Sequence, residues 1–258
     1  MSKDKFFIGW SGNTSSEHKK LIKRLLIPMF IAIPILIFAI VIFARPFSHG
    51  QYELGNVKEF VGVYYEDPFP VLLLDEGQLE NGSSTSALLV GYGKKGAKTF
   101  MHMAEKVHGK LSDKKIKIQG TLIYGDGKTL IELTKKEDSV LEILGKEISK
   151  NYKPRLTNQT LRGEIVDPKC WFGVMKPAEG KVHKSCAIRC ISGGIPPVLR
   201  VMKDNVYVYY ILKGVNGEDI NKEILEFVGE PVVVVGDTYL ENGWEVLRIE
   251  TSEIRFME

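Results

Sequence analysis

The sequence predicts a mainly β protein: one N-terminal transmembrane helix followed by two tandem small OB-like β-barrel units. Three observations carry this prediction. Leu25 to Ala44 runs for twenty residues without a charge. The remainder is filled with short apolar, β-branched runs closed by Asp-Gly or Asn-Gly turns. The second half of that remainder repeats landmarks of the first.

The uncharged segment reads LLIPMFIAIPILIFAIVIFA. At about 1.5 Å per residue it covers a hydrocarbon core of roughly 30 Å. It has no polar face of the kind a buried soluble helix shows. Pro28 and Pro34 are tolerated in such a helix and are expected to kink it. A cleaved signal peptide would have an apolar core of about 7–15 residues and a small-x-small site. This core is longer and runs into Arg45-Pro46, so a retained anchor over 25–44 is the reading adopted.

Lys3, Lys5, Lys19, Lys20, Lys23 and Arg24 precede the helix, and only Arg45 follows it closely. The positive-inside rule therefore places residues 1–24 in the cytoplasm and the C-terminal domains in a periplasmic or extracellular space. The net charge of +3 belongs to this flank, because 29 basic and 30 acidic residues remain after position 44. No basic groove points to nucleic acid. The apolar tip FFIGW, Phe6 to Trp10, reads as an interfacial anchor, or more sharply as a contact with a membrane partner.

Two hairpins anchor the repeat, 115–133 and 231–250. Alternating apolar runs flank Asp126-Gly127 in the first and Asn242-Gly243 in the second. Gly120 falls on Gly236 and Gly127 on Gly243, both 116 residues on. Gly62 falls on Gly163, 101 residues on, whereas Phe69-Pro70-Val71-Leu72 falls on Pro196-Pro197-Val198-Leu199, 127 on. The second copy thus carries about 26 extra residues between its first two strands, within Lys169–Ile195. Five or so short strands per copy suit a small OB-type barrel or a sandwich. The domain reading is a first unit at 57–136, a helical linker at 137–159 and a second unit at 160–258. The linker helix is expected over Glu137–Asn151, with apolar residues at 140, 141, 143, 144 and 148. A second short helix is expected over Asn221–Val228.

The insertion at 169–195 holds all three cysteines. If Val182–Ile191 is helical, His183, Cys186 and Cys190 fall at i, i+3 and i+7 on one face. Gly193-Gly194 would stop that helix and Pro196-Pro197 would forbid its continuation. Lys176–Gly180 reads as a turn that lets Cys170 fold back. Three thiols and an imidazole suit tetrahedral zinc or another thiophilic metal, with Met175 as an added thioether for Cu(I). Two other readings stay open. One is a structural disulfide from Cys170 to Cys186 or Cys190, which an oxidising compartment favours. The other is a reactive thiolate, its pKa lowered by His183, Lys181, Lys184 or Arg189. No Cys-x-x-Cys-His supports covalent haem attachment.

Other chemistry-bearing residues are weaker. His102 in MHMAEKVHG, with Met101 and Met103, offers copper donors but reads more simply as packing; His108 and the isolated His49 offer less. Gly91–Gly96 (GYGKKG) lacks the helix start of a nucleotide loop and reads as a tight basic turn. Asn81-Gly82-Ser83 and Asn158-Gln159-Thr160 match glycosylation acceptors. No Ser-His-Asp arrangement stands out, so a binding or accessory subunit is a better reading than an enzyme.

Gly163, Ile165, Asp167, Cys170, His183, Cys186, Cys190 and Gly194 form the pattern G-x-I-x-D-x-x-C…H-x-x-C-x-x-x-C-x-x-x-G. In this pattern residues 161–256 resemble uncharacterised exported bacterial OB-like domains. The resemblance implies an OB-like barrel with a Cys/His loop in an exported protein. It implies no particular reaction. The sequence expectation is therefore a membrane-bound protein whose second barrel holds a metal or redox cofactor at Cys170, His183, Cys186 and Cys190. Its expected partner is an integral-membrane or redox protein. The alternatives are a thiol-disulfide oxidoreductase and a disulfide-stapled adaptor.

Overall fold

The computed structural model describes residues 15–43, 50–79, 85–134, 139–147 and 155–257. Phe6–Trp10, Arg45-Pro46, His49 and the Asn81 acceptor lie outside the described residues. The chain divides into two compact units, residues 1–46 and 47–258.

In the first unit, α1 spans Ser16–Phe43, 28 residues, or about 42 Å of helix. It is long and apolar enough to cross a membrane. Its apolar side chains are exposed, with Phe30 at 69% and Phe38 at 66%. Ser15 caps it, its hydroxyl accepting the His18 N–H at 3.3 Å.

The second unit is mainly β, two five-strand closed barrels in tandem. In the first, β1 (Gly50–Tyr65), β2 (Val71–Leu74), β3 (Ser86–Val90), β4 (Lys114–Gly125) and β5 (Lys128–Leu133) run in the order β1-β2-β3-β5-β4. A β1–β4 pairing closes the ring, and β3–β5 is its parallel ladder. Helix α2 (Ala97–His108) lies between β3 and β4 in the chain. It buries Ala97, Phe100, Met101 and Ala104, the i, i+3, i+4, i+7 stripe expected of a helix plugging a barrel. Met101 thus serves packing, whereas Met103 is 40% exposed and His102 meets Glu66 at 2.6 Å, so the packing reading of MHM holds for Met101 alone.

The strand β6 (Val140–Glu147) corrects the expected helical linker. It pairs with β4 through Val140↔Ile118, Glu142↔Lys117 and Ile143↔Ile116. β5 covers only the Gly120–Gly125 half of β4. The other half would present unpaired backbone groups on that side, and β6 satisfies them. The β-branched Val140 and Ile143 also favour strand over helix.

The second barrel repeats the topology. Its strands are β7 (Thr157–Val166), β8 (Val198–Lys203), β9 (Val206–Gly214), β10 (Pro231–Glu241) and β11 (Trp244–Ile249). Their order is β7-β8-β9-β11-β10, closed by β7–β10, with β9–β11 parallel and β12 (Arg255–Phe256) added to β10. The expected helix at Asn221–Val228 is instead a single 3-10 turn, Leu225–Phe227. Ile224 and Val228 are buried in the barrel core beside it.

The repeated glycines mark equivalent corners. Gly62 pairs with both β2 and β4, and Gly163 with both β8 and β10. A Cβ on Gly62 would sit 2.2 Å from the Leu73 carbonyl oxygen, and one on Gly163 2.2 Å from that of Arg200. The two hairpin turns carry positive φ at both central residues: Asp126 and Gly127 at 47° and 71°, Asn242 and Gly243 at 49° and 77°. This is the turn whose twist matches the flanking strands.

The barrels share an apolar cluster. Phe69, Val71, Leu88 and Leu130 of the first pack with Trp171, Phe172, Tyr209 and Trp244 of the second. Polar contacts rim it. Lys98 of α2 meets Asp219 at 2.9 Å, Lys128 donates to the Gly243 carbonyl at 3.0 Å, and Tyr209 donates to the Asp126 carboxylate.

Candidate metal centre

The insertion between β7 and β8 consists of a π-helical turn, Cys170–Val174, and helix α3, Gly180–Ser192. The π turn begins where Asp167 Oδ1 accepts the Lys169 N–H at 2.9 Å, and the Trp171 N–H bonds to the Asp167 carbonyl. Trp171 then inserts between barrels. Its indole donates to Tyr209 at 2.9 Å, and Arg200 stacks over its ring at 4.1 Å. The same Arg200 binds Glu164 at 3.0 Å and Glu179 at the start of α3. The Glu164 carboxylate also accepts the Gly180 N–H at 2.6 Å. α3 is thereby held at its N-terminus by charge and hydrogen bonds from the β7–β8 pair.

Gly193-Gly194 ends α3 as the sequence predicts, Gly194 taking φ 100°. The loop Gly91–Gly96 of the first barrel docks against that end. The Gly96 N–H donates to the Gly193 carbonyl at 2.9 Å, and a Cβ on Gly193 would lie 1.9 Å from the Lys94 oxygen. The tight basic turn is therefore a backbone-to-backbone seam. It delivers Lys94, whose Nζ lies 3.2 Å from Cys186 Sγ. Lys184, one of the cations named from sequence, turns away to Glu230 at 3.0 Å. Met175 stands 44% exposed.

On α3, His183 and Cys190 are buried and Cys186 is half-buried. Cys170 folds back to meet them, and all three thiols are free. Two groups of donors result. Ligand atoms of Cys170, His183 and Cys186 lie within 4.8 Å of one another; so do those of Asp167, Cys170 and Cys190. The four residues predicted from sequence are thus brought together as two overlapping triplets that share Cys170. Asp167 is a donor that ligand spacing did not single out.

The electrostatics is that of a buried pocket with Lys94 at its edge. Cys190 beside it, burial and the Asp167 carboxylate push the Cys170 thiol far above its ordinary value. Burial pulls His183 below its ordinary value; Asp167 opposes this and Lys94 adds to it. The hydrogen bond to Cys186 holds Lys94 above its ordinary value. Two buried atoms have no hydrogen-bond partner, His183 Nε2 and Asp167 Oδ2. Such atoms are costly to leave unsatisfied.

Donors on one tetrahedral ion stand roughly 3.5–3.8 Å apart, given metal–ligand lengths of about 2.0–2.3 Å. Groups already within 4.8 Å reach that spacing with rotamer-scale adjustment. A bound cation would reverse the proton preference of Cys170, because coordination deprotonates a thiol outright. The Cys/His cluster can therefore hold a metal.

One further residue locks the pocket in place. Lys169, next to Cys170, is 3% exposed and crosses to the first barrel. Its Nζ donates to the Gly91 and Gly93 carbonyls at 2.8 and 2.6 Å and pairs with Glu132 at 2.6 Å. Neither Lys94 nor Lys169 was flagged by local pattern, since their partners lie in the other barrel. Asn158, in the second acceptor motif, sits on β7 and donates to Asp237 at 3.1 Å. Neither protein-family models nor curated protein sequences match the chain.

Proposed function

We propose that the chain is a membrane-anchored, outward-facing protein whose second barrel binds zinc or another thiophilic metal through the Cys170–Cys190 loop. In this reading it serves a membrane redox complex as a non-catalytic accessory subunit. One observation carries the proposal: Cys170, His183 and Cys186 place their donor atoms within 4.8 Å of one another, around a buried imidazole whose Nε2 has no hydrogen-bond partner. Anchoring is supported by α1, and the outward orientation by the basic residues before it. The likeness of residues 161–256 to exported domains points the same way. The accessory role is supported by the burial of the ligand set, in which Cys170, His183 and Cys190 are each buried.

A second reading has its own observation. The Cys170 and Cys190 sulfurs are neighbours, and oxidation would join them as a structural staple. Elemental analysis of the full chain in detergent, combined with thiol counting, separates the two. Bound metal, and three titratable thiols after its removal, is the expected result. One thiol without metal would establish the staple. Cys186→Ser should lower bound metal to half or less. In membranes from expressing cells, the chain should resist alkaline extraction and keep its N-terminal residues; a shortened, soluble product would mean that α1 is a cleaved signal.

A further inference from the structure

Asp167, Cys170 and Cys190 form a second triplet that the four-ligand reading leaves unexplained. We infer that the loop holds two metal ions, bridged by the sulfur of Cys170. This inference deepens the metal-binding reading and rests on it.

The two triplets share Cys170 and no other residue. Each contains one buried polar atom without a hydrogen-bond partner: His183 Nε2 in the first, Asp167 Oδ2 in the second. His183 is 4% exposed and Asp167 fully buried, so neither faces bulk solvent. The Asp167 carboxylate has a local structural task, but Oδ1 alone performs it, by accepting the Lys169 N–H. The Asp167 carboxylate lies within 4.8 Å of the Cys170 and Cys190 sulfurs, and its Oδ2 makes no other hydrogen bond.

Charge balance accommodates two ions. With three thiolates and a carboxylate, the donors carry four negative charges around a neutral imidazole. One divalent ion leaves a surplus in a buried pocket, where the cation shown next to a donor is Lys94 at Cys186. Two divalent ions match the four donor charges, and with Lys94 counted they leave one positive charge where a single ion leaves one negative. A thiolate has lone pairs enough to join two ions, and Cys170 is the sulfur within 4.8 Å of the other four donors. The carboxylate also narrows the choice of metal. Cu(I) prefers thiolate and thioether, whereas zinc and similar borderline divalent ions accept sulfur, imidazole and carboxylate together.

The test is metal stoichiometry on the full chain in detergent, loaded with Zn2+ and with Co2+ as a coloured, paramagnetic probe. Two ions per chain are expected, with cobalt–thiolate absorption and magnetic coupling between the cobalt centres. Asp167→Asn, which keeps the Oδ1 acceptor, and Cys186→Ser should each retain one ion; Cys170→Ser should retain neither tightly. Near-UV circular dichroism of the variants checks that the barrels persist. One ion per chain in the wild type, unchanged by Asp167→Asn, would overturn the two-ion inference and leave the four-ligand reading standing. Two ions that survive Cys170→Ser would overturn the bridge. No bound ion in the wild type would overturn both readings.

Discussion

Lys169 shows how one side chain can organise a site that it does not enter. Its ammonium makes three contacts, two to carbonyls and one to Glu132, so each of its donors is used. Glu132 in turn accepts from Tyr52 and from the Gly93 N–H. Breaking such a pair from one side leaves a charge stranded in the interior. Lys169→Met should therefore cost about 3–5 kcal/mol of stability, read from the denaturant midpoint of the full chain. The double variant Lys169→Met, Glu132→Leu should recover much of that loss, because a matched apolar pair strands nothing. A double variant no better than the single would show that the carbonyl contacts matter more than the pair. None of this could be read locally, since Lys169 and Glu132 are 37 positions apart. Lys94 and Cys186 are 92 apart.

At the scale of elements, legibility followed the number of local signals. α3 was readable because the i, i+3, i+7 donors, the paired glycines and the paired prolines all agree on one helix. The two I′-type hairpins were readable from Asp-Gly and Asn-Gly. β6 was not, because VLEILGKEI fits a helical stripe nearly as well as a strand. Only the uncovered half of β4, invisible in the segment itself, decides between them. Asp167 escaped ligand spacing because its partners come from both the π turn and α3. The barrel glycines give a prediction at this scale. Gly62→Ala and Gly163→Ala each force a methyl into a neighbouring strand's carbonyl, and each should cost about 1–3 kcal/mol by chemical denaturation. Equal costs would support equivalent corners in the two barrels; a neutral Gly163→Ala would argue against that equivalence.

Across the whole molecule, the two barrels act as one body through a shared apolar cluster and a polar rim. Asp219 is the rim group with a clear pH signature. Burial opposes its ionisation, but Lys213 and Lys98 outweigh this and hold its carboxyl below the ordinary 3.8. A carboxyl depressed on folding contributes stability above its unfolded pKa, and this contribution disappears as pH falls through the folded value. Asp219→Asn should therefore weaken the protein at neutral pH and flatten the acid limb of its stability profile below about pH 4. An unchanged acid limb would place that pH dependence elsewhere.

The seam between Gly96 and Gly193 has a consequence for biogenesis. The glycine-rich surface that receives the cysteine loop belongs to the half of the chain made first. During synthesis the residues of the dock therefore emerge before the loop that they receive. A chain cut short before residue 169 would carry the dock glycines and Glu132, but neither Lys169 nor any cysteine to meet them.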